Sequence, residues 1–371
     1  MILNVLILSN KKYIGLGLMS GSSLDGLDLA LVAFDVANKE IKSWELLFAK
    51  ELVFPSELKD RLSKAITLSS QKLAQLDHDL GVWMGASSAN FIKDSNIEVD
   101  YIASHGHTVF HFADHGFTKQ IGAAATMVSK TGIPVISDFR SSDMAHGGQG
   151  APLAPVVEHY LYPGYEFYLN LGGIANISLH LENKIIAFDV CPANQILNKL
   201  AGEKNIAFDK GGCLAAKGKV DHDLMNLLNK DPFLKMDYPK SLDNNSLQEI
   251  YFPILENSKI STEDKLCTAV QFIANCLADA ISKSFTKENA NFEEIKLYIT
   301  GGGAFNKFLI EKIHLALPNI ELVLPSEDDI NFKEAILMSL LGLLRILNKP
   351  NSFASVTGAM KDTVNGAIYK S

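Results

Sequence analysis

The chain has 371 residues, of which 47% are hydrophobic and 20% charged, a composition typical of a soluble globular protein with about two domains. Its formal net charge of -8 argues against nucleic acid or an anionic membrane surface as the main partner. A phosphorylated ligand remains compatible with this charge, because backbone N–H groups and a metal ion can hold phosphate.

The first residues, MILNVLIL, form a short apolar run that lysines follow rather than precede. With no small-residue cleavage site after it, this run predicts a buried β-strand rather than a signal peptide or a membrane span. The cysteines, Cys191, Cys213, Cys267 and Cys276, form no CxxC pair. They indicate neither a disulfide framework nor a zinc site, and they favour a reducing, cytoplasmic compartment.

Segments typical of strands and of helices alternate along the rest of the chain. Apolar runs predict strands at YIGLGLM, LDLALVAFD, YIASHG, IPVISDF, FYLNLGG, KIIAFDV, KLYITGGG and ELVLP. Apolar residues three and four apart predict helices at SELKDRLSKAI, KLAQLDHDLGVWMGASSANFI, DLMNLLNK, TAVQFIANCLADAISKSF and FKEAILMSLLGLLRIL. The alternation indicates an α/β protein.

A coarse internal repeat is visible in two strand–turn–strand segments, IGLGLMSGSSLDGLDLALVAF and EFYLNLGGIANISLHLENKIIAFD. They predict two antiparallel hairpins and therefore two similar lobes that face each other. A third glycine-rich turn, YITGGGAFN, ends a strand and opens a helix. The segment 138–155, rich in Gly, Pro and charged residues, is either a linker or a loop that carries function.

The turn GLMSGSSLDGLD, residues 17–28, has the properties of a phosphate cradle. Glycines allow close approach of a ligand, consecutive N–H groups form an anion nest, and Asp25 and Asp28 could hold Mg²⁺ directly or through water. The alternative is an ordinary hairpin turn with local Asp and Ser hydrogen bonds. Similar turns at 170–178 and 300–306 together indicate a nucleotide held in a cleft between the lobes. The sequence contains no GxxxxGK[ST], GxGxxG or GxSxG motif.

The combined motifs resemble those of the anhydro-N-acetylmuramic acid kinase family from about residue 14 to residue 359. They are GLMSGSSLDGLD, SHGHTVFH, SDFRSSDMAHGGQGAPLAP, NLGGIANIS, FDVCPAN, FDKGG, ITGGGAFN, KEA and VTGA. The resemblance implies an α/β, two-lobed actin/hexokinase-like (ribonuclease H-like) ATPase fold with a central cleft. We expect a first lobe at 1–137, with 350–371 packing back on it, and a second lobe at 138–349.

The resemblance also implies ATP, Mg²⁺ and an amino sugar, 1,6-anhydro-N-acetylmuramic acid, which is a product of peptidoglycan turnover. Such an enzyme opens the 1,6-anhydro bridge with water and phosphorylates O6, which gives N-acetylmuramic acid 6-phosphate. The family further suggests a homodimer. No nucleic acid and no membrane are expected as partners.

The resemblance assigns Asp189 as the general base that takes a proton from the water attacking the anomeric carbon. The γ-phosphoryl group can act as the electrophile at the departing O6, so a second catalytic carboxylate is not required. From its position alone, the favoured interpretation of Asp189 is an end-of-strand turn former before Pro192.

The remaining assignments fall into three groups. ATP and phosphate contacts are expected from Gly21, Ser22, Ser23, Leu24, Asp25, Gly26, Leu27, Asp28, Gly172, Gly173, Asn176, Gly301, Gly302, Gly303 and Asn306. Substrate contacts are expected from His105, His107, Arg140, Asp143, Asn194 and Glu334. Mg²⁺ is expected at Asp25 and Asp28.

Two segments depart from the family's pattern. FDVCPAN stands where the family usually has FDTGPGN, and KSLDNNSLQE stands in place of a KSTGRE stretch. Cys191 and Ala193 would be strained if either position required a positive φ. The departures keep two alternatives open: a kinase of this fold for another amino sugar and a catalytically impaired nucleotide-binding homologue. A separate alternative is an actin-like nucleotide-dependent switch, which Asp189 and the loop 138–155 disfavour.

Several polar residues have two interpretations each. His107 and His111 have a spacing that permits a transition metal, but the family usually has glutamine at position 107, so sugar hydrogen bonding or a loop role is favoured. Asp138, Arg140 and Asp143 either form an ion-pair network or bind the sugar and its lactyl carboxylate, for which the planar guanidinium of Arg140 is best suited. Glu334 is either a first-turn acid stabilised by the helix dipole or a sugar ligand.

Overall fold

The computed structural model describes residues 10–21, 24, 26–182, 184–242, 246–288 and 294–371. The predicted strand MILNVLIL lies outside these residues. The strands are β1 Lys11–Ser20, β2 Gly26–Ala37, β3 Glu40–Val53, β4 Tyr101–Ser104, β5 His107–Phe112, β6 Phe117–Ile121, β7 Val135–Ser137, β8 Phe167–Leu171, β9 Ile174–Leu181, β10 Lys184–Pro192, β11 Ile295–Thr300, β12 Ile320–Val323 and β13 Ala367–Tyr369. The α-helices are α1 Ser56–Ser63, α2 Ser70–Ser95, α3 Ala124–Thr131, α4 Ser141–Ala145, α5 Ala154–Leu161, α6 Asn194–Gly202, α7 His222–Leu228, α8 Phe252–Asn257, α9 Thr262–Glu288, α10 Lys307–Ala316, α11 Glu327–Leu347 and α12 Ala354–Thr357.

The chain divides into two compact units. The first contains the described residues up to Pro163 together with Phe332–Ser371, and the second is Gly164–Asn331. The boundaries expected from the sequence are 137/138 and 349/350 instead. The difference arises because α5 and most of α11 contribute buried side chains such as Val157 and Leu340 to the core around Phe34, and this core belongs to the first unit.

Each unit is built on a mixed sheet with the same plan. In the first unit the order is β13-β7-β4-β1-β2-β3, with β1, β2 and β3 antiparallel and with β4 and β7 parallel to β1. In the second unit the order is β10-β9-β8-β11-β12, again an antiparallel meander followed by two parallel strands. This duplication confirms the α/β class and both predicted hairpins. It is the arrangement expected of the actin/hexokinase-like fold.

The long edge strand β3 is absent from the sequence-based prediction. Its burial alternates between exposed and half-buried residues without a fully buried position, so it lacks the apolar run that marks the other strands. Within the described ranges, no helix combines the length and apolar character needed to cross a membrane.

Glycines in β1 allow the backbone of α11 to approach the sheet closely. A Cβ on Gly17 would lie 1.8 Å from the carbonyl oxygen of Ala335, and one on Gly15 would lie 2.3 Å from the ring of Tyr101. On the helix side, a Cβ on Gly342 would lie 2.7 Å from the Cβ of Ala103. Gly17 therefore serves helix-on-sheet packing, although it opens the stretch predicted to cradle phosphate.

We expect Gly17→Ala to lower the free energy of unfolding by about 3 kcal/mol, because no rotamer change can move a Cβ away from a backbone carbonyl. Urea unfolding measures the change. Gly202→Ala is the matched control, since a Cβ there meets nothing within 4 Å. Equal unfolding midpoints for Gly17→Ala and the wild type would contradict the close approach of α11 to β1.

Candidate active site

Glycine-containing segments of the second unit meet at one edge of its sheet, where the parallel strands β8 and β11 end. Asn194, the first residue of α6, donates from Nδ2 to the carbonyl of Leu171 over 2.8 Å. Its backbone N–H donates to the carbonyl of Gly172 over 3.1 Å. A Cβ on Gly303 would lie 2.6 Å from the Cβ of Leu171. The turn after β8, the start of α6 and the turn after β11 therefore form one surface.

Two of these glycines cannot be replaced without displacing a neighbour. Gly301 has a φ of 82°, and a Cβ on it would lie 2.4 Å from Oδ1 of Asn170. A Cβ on Gly173 would lie 2.8 Å from the Cγ of Gln195. The structure thus brings together the predicted turns at Gly172, Gly173, Gly301, Gly302 and Gly303. Their contact with nucleotide stays a prediction.

Asn306 has a structural task in addition to its predicted one. Its side chain caps α10 by accepting from the N–H of Leu309 over 3.1 Å. A Cβ on Gly212, in the FDKGG segment, would lie 2.3 Å from Oδ1 of Asn306. The side chain is therefore held in place by the protein itself, and contact with adenosine would have to involve its remaining polar atoms.

Asp189 lies in β10, opposite Asn176 of β9, where the register shifts between Asp189 and Cys191. Its Oδ2 accepts from the N–H of Leu242 over 2.8 Å and from Oγ of Ser241 over 3.0 Å. Its own N–H donates to the carbonyl of Lys240 over 3.1 Å. The carboxylate is thus oriented by residues 240–242. Ser241 belongs to the retained part of the altered KSTGRE segment, which is the signal by which this contact could have been found.

Partial burial raises the pKa of Asp189 above its usual value, against the hydrogen bonds from Leu242 and Ser241 and the charge of Lys240. A higher pKa makes the carboxylate a stronger base. Next to it, the expected strain does not arise: Ala193 has a φ of -131°, and Cys191 is not among the residues with positive φ. Neither replaced glycine position requires the left-handed region here.

In the first unit, polar side chains gather where β1, β4 and β7 end. Nε of Arg140 donates to Nε2 of His105 over 3.0 Å, and its Nη1 donates to the carbonyl of Gly150 over 2.5 Å. Because arginine can only donate, Nε2 of His105 is an acceptor and its Nδ1 carries the proton that bonds the carbonyl of Gly106 over 3.0 Å. Burial, aided by the charge of Arg140, lowers the pKa of His105 to about 3. His105 is therefore neutral at pH 7.

His107 lies beside this pair, with its Nδ1 3.2 Å from Oγ of Ser20 at the end of β1. Burial lowers the pKa of His107 as well. His111 is exposed, and its Nδ1 lies 3.2 Å from Oγ1 of Thr118. Among the residues that the structure describes, no three His, Cys, Asp or Glu side chains are grouped to hold a metal ion.

Glu334 is not a first-turn acid. The helix α11 begins at Glu327, where Oγ of Ser326 accepts from the N–H of Asp329 over 3.1 Å, so Glu334 lies further along it. Its side chain is solvent-accessible but closely surrounded by protein, and this desolvation raises the pKa of Glu334 against the charges of Arg140 and Lys333. Burial lowers the pKa of Arg140 to about 10, against the charge of Glu334. Because the charges of Arg140 and Glu334 act on each other, Glu334 belongs to the polar cluster of the first unit.

Asp143 is buried and occupied by internal hydrogen bonds. Its Oδ2 accepts from the N–H of Gly150, and its Oδ1 accepts from the hydroxyls of Ser352 and Thr357, each over 2.8 Å. The donors of Arg140 go elsewhere, so the two residues form no direct ion pair. These bonds favour a bracing role over the predicted sugar contact. They also show that segment 138–155, which forms α4, is part of the first unit rather than a linker.

The turn between β1 and β2 is only partly described. Ser22, Ser23 and Asp25 lie outside the described residues. Leu24 has a φ of 55° and its N–H donates to the carbonyl of Gly21 over 3.3 Å. Gly26, Leu27 and Asp28 belong to β2, and the side chain of Leu27 is fully buried in the core. Leu27 could therefore contact a nucleotide only through its backbone.

A cavity of about 300 Å³ in the first unit adjoins the polar cluster. Its lining includes His105, Gly106, Gln120, Asp138 and Ser141. Gln120 and Ser141 were not expected from the sequence. Gln120 lies outside the quoted motifs, whereas Ser141 lies in the motif SDFRSSDMAHGGQGAPLAP, which is the signal that could have identified it.

The sequence matches the family model described as anhydro-N-acetylmuramic acid kinase over residues 11–371. It is 32% identical over 375 residues to the anhydro-N-acetylmuramic acid kinase of Aliivibrio fischeri, covering 97% of this chain and 99% of the relative. It is 31% identical over 385 residues to that of Haemophilus influenzae, covering 95% and 97%. A solved hexokinase from Schistosoma mansoni complexed with glucose is 10% identical, with a TM-score of 0.37 and coverage of 90% and 87%. The strand order, rather than this distant likeness, supports the fold.

Proposed function

This chain belongs to the anhydro-N-acetylmuramic acid kinase family, and on that premise we propose that it converts 1,6-anhydro-N-acetylmuramic acid and ATP to N-acetylmuramic acid 6-phosphate in cell-wall recycling. The observation that carries the proposal is the carboxylate of Asp189, oriented by Ser241 and Leu242 and made more basic by partial burial. We further propose a cytoplasmic location and a homodimer, the latter to be tested by sedimentation velocity.

In this reaction Asp189 takes a proton from water as the water oxygen attacks the anomeric carbon. The bond between that carbon and O6 breaks, and O6 forms a new bond to the γ-phosphorus of ATP, from which ADP departs. Such a transfer depends mostly on positioning and on charge neutralisation. The hydrogen bonds from residues 241 and 242 keep the carboxylate fixed while it accepts the proton.

The glycine turns of the second unit suit the phosphates of ATP. Gly173 and Gly301 lack a side chain where a Cβ would collide with neighbours, and such turns present backbone N–H groups to anions. The carboxylates of Asp25 and Asp28 are the hard oxygen donors that Mg²⁺ prefers. When bound, Mg²⁺ neutralises negative charge on the phosphates.

The polar cluster of the first unit suits the sugar. Arg140 offers a planar guanidinium for the lactyl carboxylate, and neutral His105 holds its Nε in place. His107 and Glu334 are further proposed contacts of this unit, and Asn194 of the second unit is proposed separately. Asn194 already donates one Nδ2 hydrogen bond to Leu171, so its Oδ1 is the better candidate.

We expect Arg140→Lys to raise the KM for the sugar by about tenfold, with a smaller change in kcat. A lysine ammonium cannot keep the bonds of Arg140 to His105 and Gly150 and still direct a donor to the lactyl carboxylate. Each lost charged hydrogen bond costs about 1.5–3 kcal/mol. Initial rates against sugar concentration measure the changes in KM and kcat separately. Arg61→Lys, at a surface pair with Asp79, is the control, and an unchanged KM in Arg140→Lys would remove Arg140 from the sugar site.

We expect Ser241→Ala to move the acid limb of the kcat/KM profile to higher pH. The hydroxyl of Ser241 lowers the pKa of Asp189, so its removal raises that pKa further. The base is active when ionised, and activity is therefore lost at a higher pH as the solution is acidified. A profile that stays in place would show that Asp189 does not govern the acid limb.

The direct test is ADP release with Mg-ATP and 1,6-anhydro-N-acetylmuramic acid, together with the mass of the product. A product that gains both water and phosphate supports the proposal. ATP binding without this product would contradict it and would favour another amino sugar or an impaired homologue, which the altered FDVCPAN segment already motivates.

A further inference from the structure

A second cavity, of about 780 Å³, lies wholly within the second unit, behind the strand that carries Asp189. Phe188 and Val190 line it, and these neighbours of Asp189 point to the other face of β10. The opposite wall is a side of α9 that includes the half-buried Cys276 and Ala280. Nothing in the proposed reaction uses this space.

Two aromatic rings contribute to one side of the cavity. The rings of Phe188 and Tyr238 stack with centroids 4.8 Å apart and planes 19° apart. Leu234 and Met236 extend this apolar lining, and Met236 is 55% exposed. The two rings offer little open surface, because Phe188 is 7% exposed and Nζ of Lys287 lies 3.9 Å from the centroid of the Tyr238 ring. A ring or acyl chain in this cleft would therefore remove mainly Leu234 and Met236 from water.

The cavity is positively charged although the chain as a whole has a net charge of -8. Its lining contains Lys235, Lys240, Lys283 and Lys287 but only two carboxylates, Asp237 and Asp279. Asp279 pairs with Lys283 over 2.6 Å, and Asp237 lies 3.7 Å from Lys287. The two carboxylates are therefore engaged by these two lysines.

Lys240 has no carboxylate partner among the described residues, although it is half-buried. Its Nζ donates to the carbonyl of Phe233 over 3.1 Å and lies 4.5 Å from the centroid of that ring. Burial and the charge of Lys283 lower its pKa. The carboxylates of Asp189 and Asp279 act on Lys240 without an ion pair, so an anion beside Nζ would supply the direct pair that the described residues do not form.

We propose that this cavity binds a small amphipathic anion. Its ring or acyl chain packs against Leu234, Met236 and Ala280, and its carboxylate, sulfonate or phosphate group pairs with Lys240. The backbone of Lys240 accepts from the N–H of Asp189, so a bound ligand contacts the segment that orients the base. The effect on turnover rests on the proposed function of Asp189, whereas the binding itself does not.

The test uses two fluorescent probes of similar shape, the anion 8-anilinonaphthalene-1-sulfonate and the neutral N-phenyl-1-naphthylamine, titrated into the full chain. We expect the anion to bind one site more tightly than the neutral probe. Lys240→Met should lower the affinity for the anion by about tenfold and leave the affinity for the neutral probe unchanged. Ala280→Phe, which fills the cavity, should lower the affinity for both probes by about tenfold.

Lys312→Met is the matched control, because Lys312 also lies over a phenylalanine ring, that of Phe308 at 5.0 Å, outside the cavity lining. It should bind both probes as the wild type does. Lys240→Arg should retain the anion preference, which keeps the test decisive if Lys240→Met fails to fold. Equal affinity for the two probes, or displacement of the anion by ATP, would overturn the proposal.

Alkylation of Cys276 locates the site without any enzyme assay. Cys213 is exposed, whereas Cys191 and Cys267 are buried, so the Cys213→Ser background leaves Cys276 as the accessible thiol of the set. Saturating anion should slow iodoacetamide labelling of the Cys276 peptide by about tenfold, measured by mass spectrometry. An unchanged labelling rate would place the probe elsewhere and overturn the proposal.

A kinetic measurement then tests the link to Asp189. Saturating anion should change kcat for the sugar, while Ala280→Phe should abolish this response. An unaltered kcat at full occupancy would refute the link. Failure of the kinase proposal itself would leave the fluorescence and labelling results unaffected, so the two failures are distinguishable.

Discussion

Asp189→Asn is expected to lower sugar phosphorylation by about 10²–10⁴-fold, the usual contribution of a general base, while ATP binding stays nearly unchanged. Asparagine can still accept from the N–H of Leu242 and from Ser241, but it cannot take the proton of the attacking water. Coupled ADP release measures the rate, and isothermal titration calorimetry measures ATP binding.

The variant is not expected to be less stable than the wild type. The pKa of Asp189 is raised in the folded chain, so above that pKa the ionised carboxylate costs stability relative to the unfolded chain, and the amide removes this cost. Asp223→Asn, at an exposed first-turn position of α7, controls for the loss of one surface carboxylate. Wild-type turnover in Asp189→Asn would remove Asp189 from the mechanism.

Asp143→Ala is expected to lower the free energy of unfolding by about 3–5 kcal/mol, because it leaves buried donors without an acceptor. The carboxylate accepts from Gly150, Ser352 and Thr357, which ties the loop after β7 to the C-terminal segment. The backbone N–H of Asp143 also donates to Oδ1 of Asn365 over 3.0 Å, and this bond should survive because it does not involve the side chain of Asp143. Urea unfolding measures the loss.

Asp114→Ala, an exposed carboxylate of the same unit, is the control and should change stability by less than about 0.5 kcal/mol. The sugar KM distinguishes the two interpretations of Asp143. An Asp143→Ala protein of wild-type stability that loses sugar affinity would contradict the bracing role and restore Asp143 as a substrate contact.

The structure shows no backbone strain at the altered positions of the FDVCPAN segment. Ala193 has a negative φ and Cys191 continues β10, so the altered residues fit the backbone without a left-handed conformation. The carboxylate of Asp189 keeps its two donors in this context. The impaired-homologue alternative therefore draws no support from backbone strain at these positions.

The sequence by itself determined the parts that depend on local pattern. Apolar runs that end in glycine turns specify the β1–β2 and β8–β9 hairpins, and apolar spacing specifies α9 and α11. The family motifs, which are short contiguous strings, place Asp189 at the end of a strand. These features depend on neighbouring residues, and period and turn chemistry therefore reveal them.

Only the tertiary structure decided which distant groups meet. It showed that Ser241 and Leu242 hold Asp189, that Asp143 faces Ser352 and Thr357, and that Gly17 meets Ala335. The tertiary structure also decided the surroundings of Lys240, which come from β10, α9 and residues 234–238. The contacts of Asp189, Asp143 and Gly17 join residues far apart in the chain. A side chain's direction and burial are set by that packing, and no local sequence pattern encodes them.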